Sequence, residues 1–286
     1  MTEEPRSHPF RDSAQDVRAT NRVPDTPQTR SAAYRLAFAD RDFLTREELR
    51  PVRLQLELLK PQMGLDAAGI VSTVVLFGGA RIADPDRADG GGPAPLSRYY
   101  AEARRFARLM TERSLAGGGA EDVIVTGGGP GVMEAGNRGA ADAGGRSVGL
   151  NIVLPHEQAP NPYVTPELCF NFHYFAIRKM HFLLRARAIC VFPGGFGTLD
   201  EMFESLTLIQ TGRMAKVPFL LFGRAFWERV VDWEALAEAG TISREDLGLF
   251  AFVETAEEAL AAMAAWGSGT ERREAIPGRD GPAVEG

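Results

Sequence analysis

The stretch CVFPGGFGTLDEMFE, residues Cys190 to Glu204, decides the fold because an apolar run ends there on a glycine-rich turn and a helix-forming segment follows. Gly194, Gly195 and Gly197 allow the backbone to turn tightly. The helix that follows would offer unpaired N–H groups and the positive end of its dipole to an anion. A strand, a glycine turn and a helix in this order are typical of a parallel α/β protein with a phosphate site at the turn.

The rest of the chain repeats this alternation from Ser72 onward. Short apolar segments, each typical of a buried strand, alternate with amphipathic segments typical of helices. The predicted strands are STVVLFG (72–78), DVIVTGG (122–128), SVGLNIVL (147–154), LCFNFHYF (168–175), AICVFPG (188–194), VPFLLFG (217–223) and LFAFV (249–253). The predicted helices lie near 96–115, 131–143, 176–186, 199–213, 225–238 and 255–266. The pattern predicts an open, mostly parallel sheet with helices on both faces.

The composition changes at both ends of this alternating region. Residues 1–30 are polar and interrupted by prolines, and we expect them to be disordered. Residues 31–69 have helical apolar spacing and form a predicted helical extension. The alternating α/β domain occupies residues 70–266, and the Gly-, Pro- and charge-rich tail 267–286 is expected to be disordered.

Charge and hydropathy exclude several classes of protein. The formal net charge of −6 leaves no basic excess to neutralise a nucleic-acid backbone, so we expect no nucleic-acid partner. No apolar run reaches the roughly 18 residues of a membrane span, and the N-terminal segment lacks the apolar core of a secretory signal. Cys169 and Cys190 lie in apolar surroundings without C-x-x-C spacing. We therefore expect a cytoplasmic protein with reduced cysteines and no membrane partner.

Three predicted strands end in glycine-rich segments: FGGA (77–80), TGGGPG (126–131) and PGGFG (193–197). The carboxyl ends of parallel strands meet at one edge of the sheet, where ligands bind in open α/β folds. One such turn is a weak signal, but three in one chain favour a ligand site. Its candidate backbone positions are Gly78, Gly128, Gly129, Gly131, Gly194, Gly195 and Gly197.

The second of these segments does not match the dinucleotide-binding pattern G-x-G-x-x-G. Counted from Gly127, the last glycine is replaced by Val132, and counted from Gly129 it is replaced by Glu134. No P-loop pattern, H-E-x-x-H pattern or Cys/His cluster occurs, so we expect neither a P-loop nucleotide site nor a metal. A single phosphate, bound by the PGGFGTLDE turn, fits the sequence better.

Two features leave alternatives open. Thr198 can donate its hydroxyl to a phosphate, but Thr198 and Glu201 also have capping-box spacing, in which Glu201 only caps the helix. In FHYFAIRKMHF, Arg178 and Lys179 lie near a helix start, where cations oppose the helix dipole at a cost of roughly 0.3–1 kcal/mol. Either surface ion pairs offset this cost, or an anionic ligand or a catalytic carboxylate lies nearby.

The motifs GGGPGVMEAGNRGA (127–140), RK (178–179) and PGGFGTLDE (193–201) resemble the LONELY GUY family of cytokinin-activating phosphoribohydrolases. The resemblance covers roughly residues 70–266, and the first 65 residues or so resemble the extension of longer bacterial members. It implies a Rossmann-like fold, a homo-oligomer that is at least a dimer, and hydrolysis of the N-glycosidic bond of a nucleoside 5′-monophosphate. The implied products are a free base and ribose 5-phosphate.

The resemblance also implies roles for individual residues. Arg178 and Glu201 would be the catalytic pair, and Lys179, residues 195–200 and Thr207 would bind the substrate. With the glycine-rich strand ends, the candidate substrate-binding residues are Gly78, Gly128, Gly129, Gly131, Glu134, Lys179, Gly194, Gly195, Gly197, Thr198 and Thr207. Glu134 stands where compact members have glycine, and Glu157 in the loop 154–164 is a possible contact for the base.

The expected chemistry needs no metal or organic cofactor. A carboxylate beneath the sugar, the role predicted for Glu201, can stabilise positive charge on the ribose carbon or activate water. Many relatives carry an old label of lysine decarboxylase, but the sequence shows no sign of a pyridoxal site around Lys179. Two alternatives stay open: a broad-specificity nucleotide nucleosidase, and a non-catalytic carrier of a phosphorylated pterin or nucleotide. The presence of both Arg178 and Glu201 favours an enzyme.

Overall fold

The computed structural model describes residues 10–85, 96–155 and 159–267. Glu157 and residues 268–286 of the predicted disordered tail lie outside the described residues. The chain divides into two compact units, Met1–Leu56 and Glu57–Gly286. No helix among the described residues is long and apolar enough to cross a membrane.

The first unit contains short helices where the sequence predicts disorder up to residue 30. Helix α1 spans Ser13–Thr20 and α2 spans Pro27–Arg30. Side chains stabilise both starts: the Asp12 carboxylate accepts from the Ala14 amide, and Thr26 forms a capping box with Thr29. The described part of the segment thus contains locally capped turns of helix, and the disorder expected for residues 1–30 stays a prediction. The unit continues through 3₁₀ turns at Ala32–Tyr34, Ala37–Ala39 and Glu47–Leu49 and helix α3, Arg41–Leu44.

Helix α4, Arg50–Ala67, fills the second half of the predicted helical extension. The second compact unit begins within it at Glu57, because the C-terminal half of α4 packs against the sheet. The start of the α/β domain at residue 70 stays a prediction. Leu65 is buried in the core there, and Gly64 lies so close to the ring of Phe170 that an added Cβ would be 2.8 Å from it.

A seven-stranded parallel sheet forms the centre of the second unit, in the order β4-β3-β2-β1-β5-β6-β7. Its strands are β1 Thr73–Phe77, β2 Val123–Thr126, β3 Ser147–Ile152, β4 Cys169–Phe172, β5 Ala186–Val191, β6 Phe219–Phe222 and β7 Ala251–Val253. In the central strand, Val75 pairs with Val125 on one side and Ile189 on the other. All seven predicted strands are present, and the predicted α/β fold class with a Rossmann-like sheet is confirmed.

Helices cover both faces of the sheet. They are α5 Arg98–Ala116, α6 Val132–Asp142, α7 Phe175–Leu183, α8 Phe196–Gln210, α9 Arg224–Val230, α10 Trp233–Glu238 and α11 Ala256–Gly267. Alternate residues of β1 enter different cores: Val74 and Leu76 meet α5, α6 and α11, whereas Val75 and Phe77 join the core that contains side chains of α7 and α8. The alternation follows from the two-residue period of a strand. The helix predicted near 225–238 is split into α9 and α10.

The strand order brings the three glycine-rich segments together. Strand β1 lies between β2 and β5, and these three strands end at Phe77, Thr126 and Val191. The strand order reverses between β1 and β5, which is the point of an open α/β sheet where a crevice for ligands forms.

Candidate functional site

Backbone hydrogen bonds join the three glycine-rich segments into one surface. The Gly79 amide donates to the Pro193 carbonyl at 3.0 Å, and the Val132 amide donates to the Gly79 carbonyl at 3.2 Å. Gly131 has a φ of +70°, and an added Cβ would overlap the backbone of Gly79 and Ala80. At Gly78 an added Cβ would lie 2.6 Å from Val132. Gly78 and Gly131 are therefore needed for the close approach of two loops.

The third segment contains two kinds of glycine. A Cβ added at Gly194 would overlap the side chain of Thr198, which is buried beneath it. At Gly195 and Gly197, in contrast, no atom of the described residues outside the immediate neighbourhood lies within 4 Å of an added Cβ. Packing against Thr198 explains why residue 194 is a glycine. The open space at Gly195 and Gly197 is what a ligand that approaches the backbone amides would need.

Helix α8 begins earlier than the sequence predicts, and this decides one of the alternatives. The residue before its first turn is Gly195, and no side chain of the described chain caps the helix. Thr198 is the third helical residue and Glu201 the sixth, so the pair does not have the positions of a capping box. The capping interpretation of Glu201 is therefore wrong.

Glu201 instead contacts Arg178 of helix α7. Arg178 Nη1 lies 3.3 Å from Glu201 Oε1, and both side chains are largely buried, with exposed fractions of 10% and 14%. Arg178 Nε donates to the Leu150 carbonyl at 2.8 Å. An added Cβ at Gly127 would lie 2.7 Å from Arg178 Nη2, and the guanidinium carbon lies 5.1 Å from the centre of the Phe182 ring. The guanidinium is thus fixed by contacts to β3, α7, α8 and the second glycine loop.

The surroundings of this pair shift both pKa values. Burial raises the pKa of Glu201 to about 7, although the charge of Arg178 lowers it. Burial also lowers the pKa of Arg178, and Glu201 partly offsets that. Because burial dominates for Glu201, its carboxyl can gain or lose a proton near neutral pH, a property of general acids and bases.

Lys179, the neighbour of Arg178, is held by surface ion pairs. Its Nζ lies 3.0 Å from carboxylate oxygens of Asp200 and Glu204 on α8. Partial burial lowers its pKa, but the bonds to these two carboxylates outweigh burial, and the pKa of Lys179 is raised. A lysine that binds pyridoxal must react as a neutral amine, so these contacts do not fit that role. The surface-pairing alternative therefore applies to Lys179 and not to Arg178.

Two predicted substrate-binding residues make contacts elsewhere. Glu134 is buried, and its Oε1 accepts a hydrogen bond from the Tyr100 hydroxyl of α5 at 2.9 Å. Thr207 is exposed on α8, and its hydroxyl donates to the Phe203 carbonyl at 2.7 Å. Neither contact involves Arg178 or Glu201.

A buried polar network, which the sequence analysis missed, shapes the second glycine loop. Asn161 donates its backbone amide to the Gly128 carbonyl at 2.8 Å and its side-chain amide to the Gly129 carbonyl at 3.0 Å. The side-chain oxygen of Asn137 accepts from Asn161 at 2.9 Å and from Thr126 at 2.7 Å. Asn137, a polar residue between the small residues Gly136 and Gly139 of α6, was a usable signal for this network. Nothing in the local sequence marks Asn161.

The family model described as "Possible lysine decarboxylase" matches residues 133–263. The probable cytokinin riboside 5′-monophosphate phosphoribohydrolase LOGL5 of Oryza sativa subsp. japonica is 28% identical over 123 residues. That match covers 42% of this chain and 46% of the relative, so the chain spans less than half of the curated relative's length.

Solved structures with a similar fold cover more of the chain at lower identity. The molybdenum cofactor binding protein from Rippkaea orientalis is 19% identical with a TM-score of 0.46, over 68% of this chain and 96% of that one. The molybdenum cofactor carrier protein from Chlamydomonas reinhardtii is 18% identical with a TM-score of 0.47, over 69% of this chain and 99% of that one. The family match contains the RK and PGGFGTLDE motifs, and with the LOGL5 relative it confirms the resemblance of this chain to the LONELY GUY family.

Proposed function

We propose that this chain hydrolyses the N-glycosidic bond of a nucleoside 5′-monophosphate, an AMP or an N6-substituted AMP, to a free base and ribose 5-phosphate. The observation that carries the proposal is the buried pair of Arg178 and Glu201, which lies next to the open glycine turn at the carboxyl edge of the sheet. A scaffold that only binds a phosphate has no need of a buried carboxyl whose pKa is raised to about 7.

The phosphate of the substrate occupies the open space at Gly195 and Gly197. Backbone amides of the first turn of α8 point there, and the helix dipole favours negative charge at this end. Glu201 follows Thr198 by three residues, or about 5 Å along the helix axis. A phosphate at the start of α8 therefore brings its ribose near Glu201, and binding energy remote from the reacting bond positions the sugar.

Glu201 acts on the ribose carbon that carries the base. As the C–N bond breaks, its electron pair leaves with the base and positive charge develops on the ribose. The ionised carboxylate stabilises this charge, or accepts a proton from the water that adds to the carbon. The departing base gains one proton and the added water loses one, so nucleotide and water give free base and ribose 5-phosphate. Arg178, fixed by the Leu150 carbonyl, keeps part of the Glu201 population ionised near neutral pH.

The experiment incubates the purified full chain with AMP, N6-isopentenyl-AMP, GMP, CMP, UMP and adenosine, and measures free base by chromatography. We expect release of base from AMP or its N6-substituted relative and much slower release from adenosine, which has no phosphate. Equal rates on adenosine and AMP contradict the phosphate role. Similar rates on all four unsubstituted nucleotides indicate a broad-specificity nucleosidase, and binding without release indicates a carrier.

We also propose that the chain works as a dimer or larger homo-oligomer. Helices α7 and α8 contain the predicted catalytic pair. Several large apolar side chains of these helices and of the residue that follows α7 are exposed to solvent: Phe175, Met180, Leu184, Phe196 and Phe203. Exposed apolar residues on helices of one domain favour a protein interface there. Light scattering at micromolar concentration tests this, and a mass near 31.1 kDa contradicts it.

A further inference from the structure

The N-terminus of the helix that carries Arg178 is held by a carboxylate from α4. Glu57 Oε1 accepts a hydrogen bond from the His173 amide at 2.8 Å, and Glu57 Oε2 accepts one from the Tyr174 amide at 3.0 Å. Tyr174 is the residue immediately before helix α7, and no side chain within α7 or its flanking turn caps the helix start. Both oxygens of one carboxylate thus bind the amide of Tyr174, the first donor that the helix leaves unpaired, and the amide of His173 immediately before it.

A short chain of bonds connects Glu57 to the predicted catalytic arginine. The Tyr174 carbonyl accepts the backbone amide of Arg178 at 3.1 Å, which is the first helical hydrogen bond of α7. Glu57 therefore fixes the peptide unit preceding Tyr174, and the carbonyl of the same residue fixes the backbone of Arg178. Since the Arg178 guanidinium lies 3.3 Å from Glu201, a small shift of this turn changes the geometry of the pair.

Electrostatics add a second reason for a carboxylate at this position. Arg178 and Lys179 place positive charge in the first turns of α7, where it opposes the helix dipole. Glu57 brings the opposite charge to the same helix end. The same element of α4 makes a further contact to α7: the Glu57 carbonyl lies 3.2 Å from Nε2 of the buried His181.

A separate ion pair connects α4 to the chain at the C-terminal end of α7. Arg185, just after α7, lies 2.6 Å from the Asp66 carboxylate of α4 through its Nη2. This ion pair joins α4 to the turn that follows α7, at the opposite end of that helix from Tyr174. The Arg185–Asp66 ion pair therefore provides a control for Glu57. Its removal weakens the contact between α4 and the region of α7 but leaves the Glu57 carboxylate at the start of the helix.

We propose that Glu57 is a positioning residue, which places Arg178 against Glu201 by capping the N-terminus of α7. The inference rests on the proposed function and gives the C-terminal half of α4, part of the extension outside the compact family pattern, a role in the reaction. Glu57 acts through Tyr174 and the backbone of Arg178 and does not touch the substrate.

The test compares Glu57→Ala, Glu57→Gln and Asp66→Ala in the full chain. Removal of the cap misplaces Arg178, so turnover of AMP by Glu57→Ala should fall by about 10- to 100-fold with a small change in KM. Glu57→Gln keeps one acceptor oxygen and should recover part of the rate. Asp66→Ala should keep nearly full turnover, although it also lowers the melting temperature.

A second readout does not depend on catalysis. The ¹³C NMR titration of the Glu201 carboxyl, assigned by its loss in Glu201→Gln, should shift to higher pH in Glu57→Ala, because Arg178 no longer lowers that pKa as strongly. It should stay near the wild-type value in Asp66→Ala. If wild-type protein hydrolyses no nucleotide, the proposed function fails while this titration still decides the role of Glu57. An unshifted titration, or turnover that follows melting temperature across all three variants, overturns the positioning role.

Discussion

The carboxyl of Glu201 lies 3.3 Å from the guanidinium of Arg178, and its pKa is nevertheless raised to about 7. An exposed ion pair would lower the pKa of the acid, so burial outweighs the attraction here. The ionised form of Glu201 is therefore costly in the folded protein. A site that keeps such a group gives up stability for chemistry, as functional sites commonly do.

Glu201→Gln should abolish turnover and increase stability above pH 7. The amide keeps the shape of the protonated acid but cannot stabilise a ribosyl cation, and loss of such a group typically costs on the order of 10²–10⁴ in rate. The pKa of Glu201 is 4.5 in the unfolded chain and about 7 in the folded protein. Between these two pH values the folded protein keeps the Glu201 proton, whereas the unfolded chain releases it. Wild-type stability from this group therefore falls as pH rises through that range, by up to roughly 3 kcal/mol.

The measurements for Glu201→Gln are turnover of AMP, calorimetric affinity for AMP, and melting temperature at pH 5 and pH 8. The melting temperature should exceed that of wild type at pH 8 and match it at pH 5, and AMP should still bind. Glu228→Gln, which removes an exposed carboxylate on α9, controls for the loss of one negative charge. Near-normal turnover in Glu201→Gln would contradict the catalytic role of Glu201 and would favour the carrier function over the hydrolase.

The pH dependence of kcat/KM should follow the ionisation of Glu201. This quantity reports groups of the free enzyme, so its acidic limb should rise with a midpoint near 7 if the ionised carboxylate is required. A limb centred near 4.5 would show that the essential acid is an exposed carboxylate and not Glu201. Steady-state rates between pH 5 and pH 9, at substrate concentrations well below KM, provide the profile.

Arg178 variants separate charge from geometry. Arg178→Lys keeps the positive charge, but a single ammonium cannot reproduce the planar guanidinium that contacts the Leu150 carbonyl and Glu201 together. It should lose at least about 10-fold in turnover while the acidic limb stays near 7. Arg178→Met also removes the charge that lowers the pKa of Glu201, so the limb should move to higher pH. If the acidic limb had the same midpoint in both variants, electrostatic coupling between Arg178 and Glu201 would be excluded.

Much of the fold follows from local sequence patterns. Each strand is a short apolar run that ends at a glycine, proline or polar residue, and parallel strands buried on both faces require this pattern. The sequence predicts a later start for α8 because Thr198 and Glu201 have the spacing of a capping box, whereas the helix begins at Phe196, where the Gly194 turn packs on the buried Thr198 side chain. The split between α9 and α10 was also missed.

The candidate site was predictable only where its residues lie in sequence motifs. Arg178, Glu201 and the glycine turns belong to such motifs, and the structure brings them to one edge of the sheet. Glu57 and Asn161 act through contacts between residues far apart in the chain, and isolated polar residues of this kind have no local signature. Their roles depend on which elements are neighbours in the fold.

The glycines of the PGGFG turn should divide into a structural and a ligand-facing class. Gly194→Ala forces a methyl group into the buried Thr198 side chain, so it should lower stability by about 1–3 kcal/mol.

Gly197→Ala adds its methyl to open space inside a helix and should raise stability by up to roughly 1 kcal/mol. The same methyl intrudes where the phosphate is proposed to approach the backbone, so AMP affinity should fall by at least about 10-fold, equivalent to 1.4 kcal/mol. Gly248→Ala also adds its methyl to open space, but in the 3₁₀ turn Arg244–Leu249 before β7. It controls for the substitution itself and should leave AMP affinity unchanged. Calorimetric titration with AMP and thermal unfolding of the three variants give both quantities. A stabilised Gly197→Ala protein that binds AMP as tightly as wild type would place the phosphate elsewhere along the edge of the sheet.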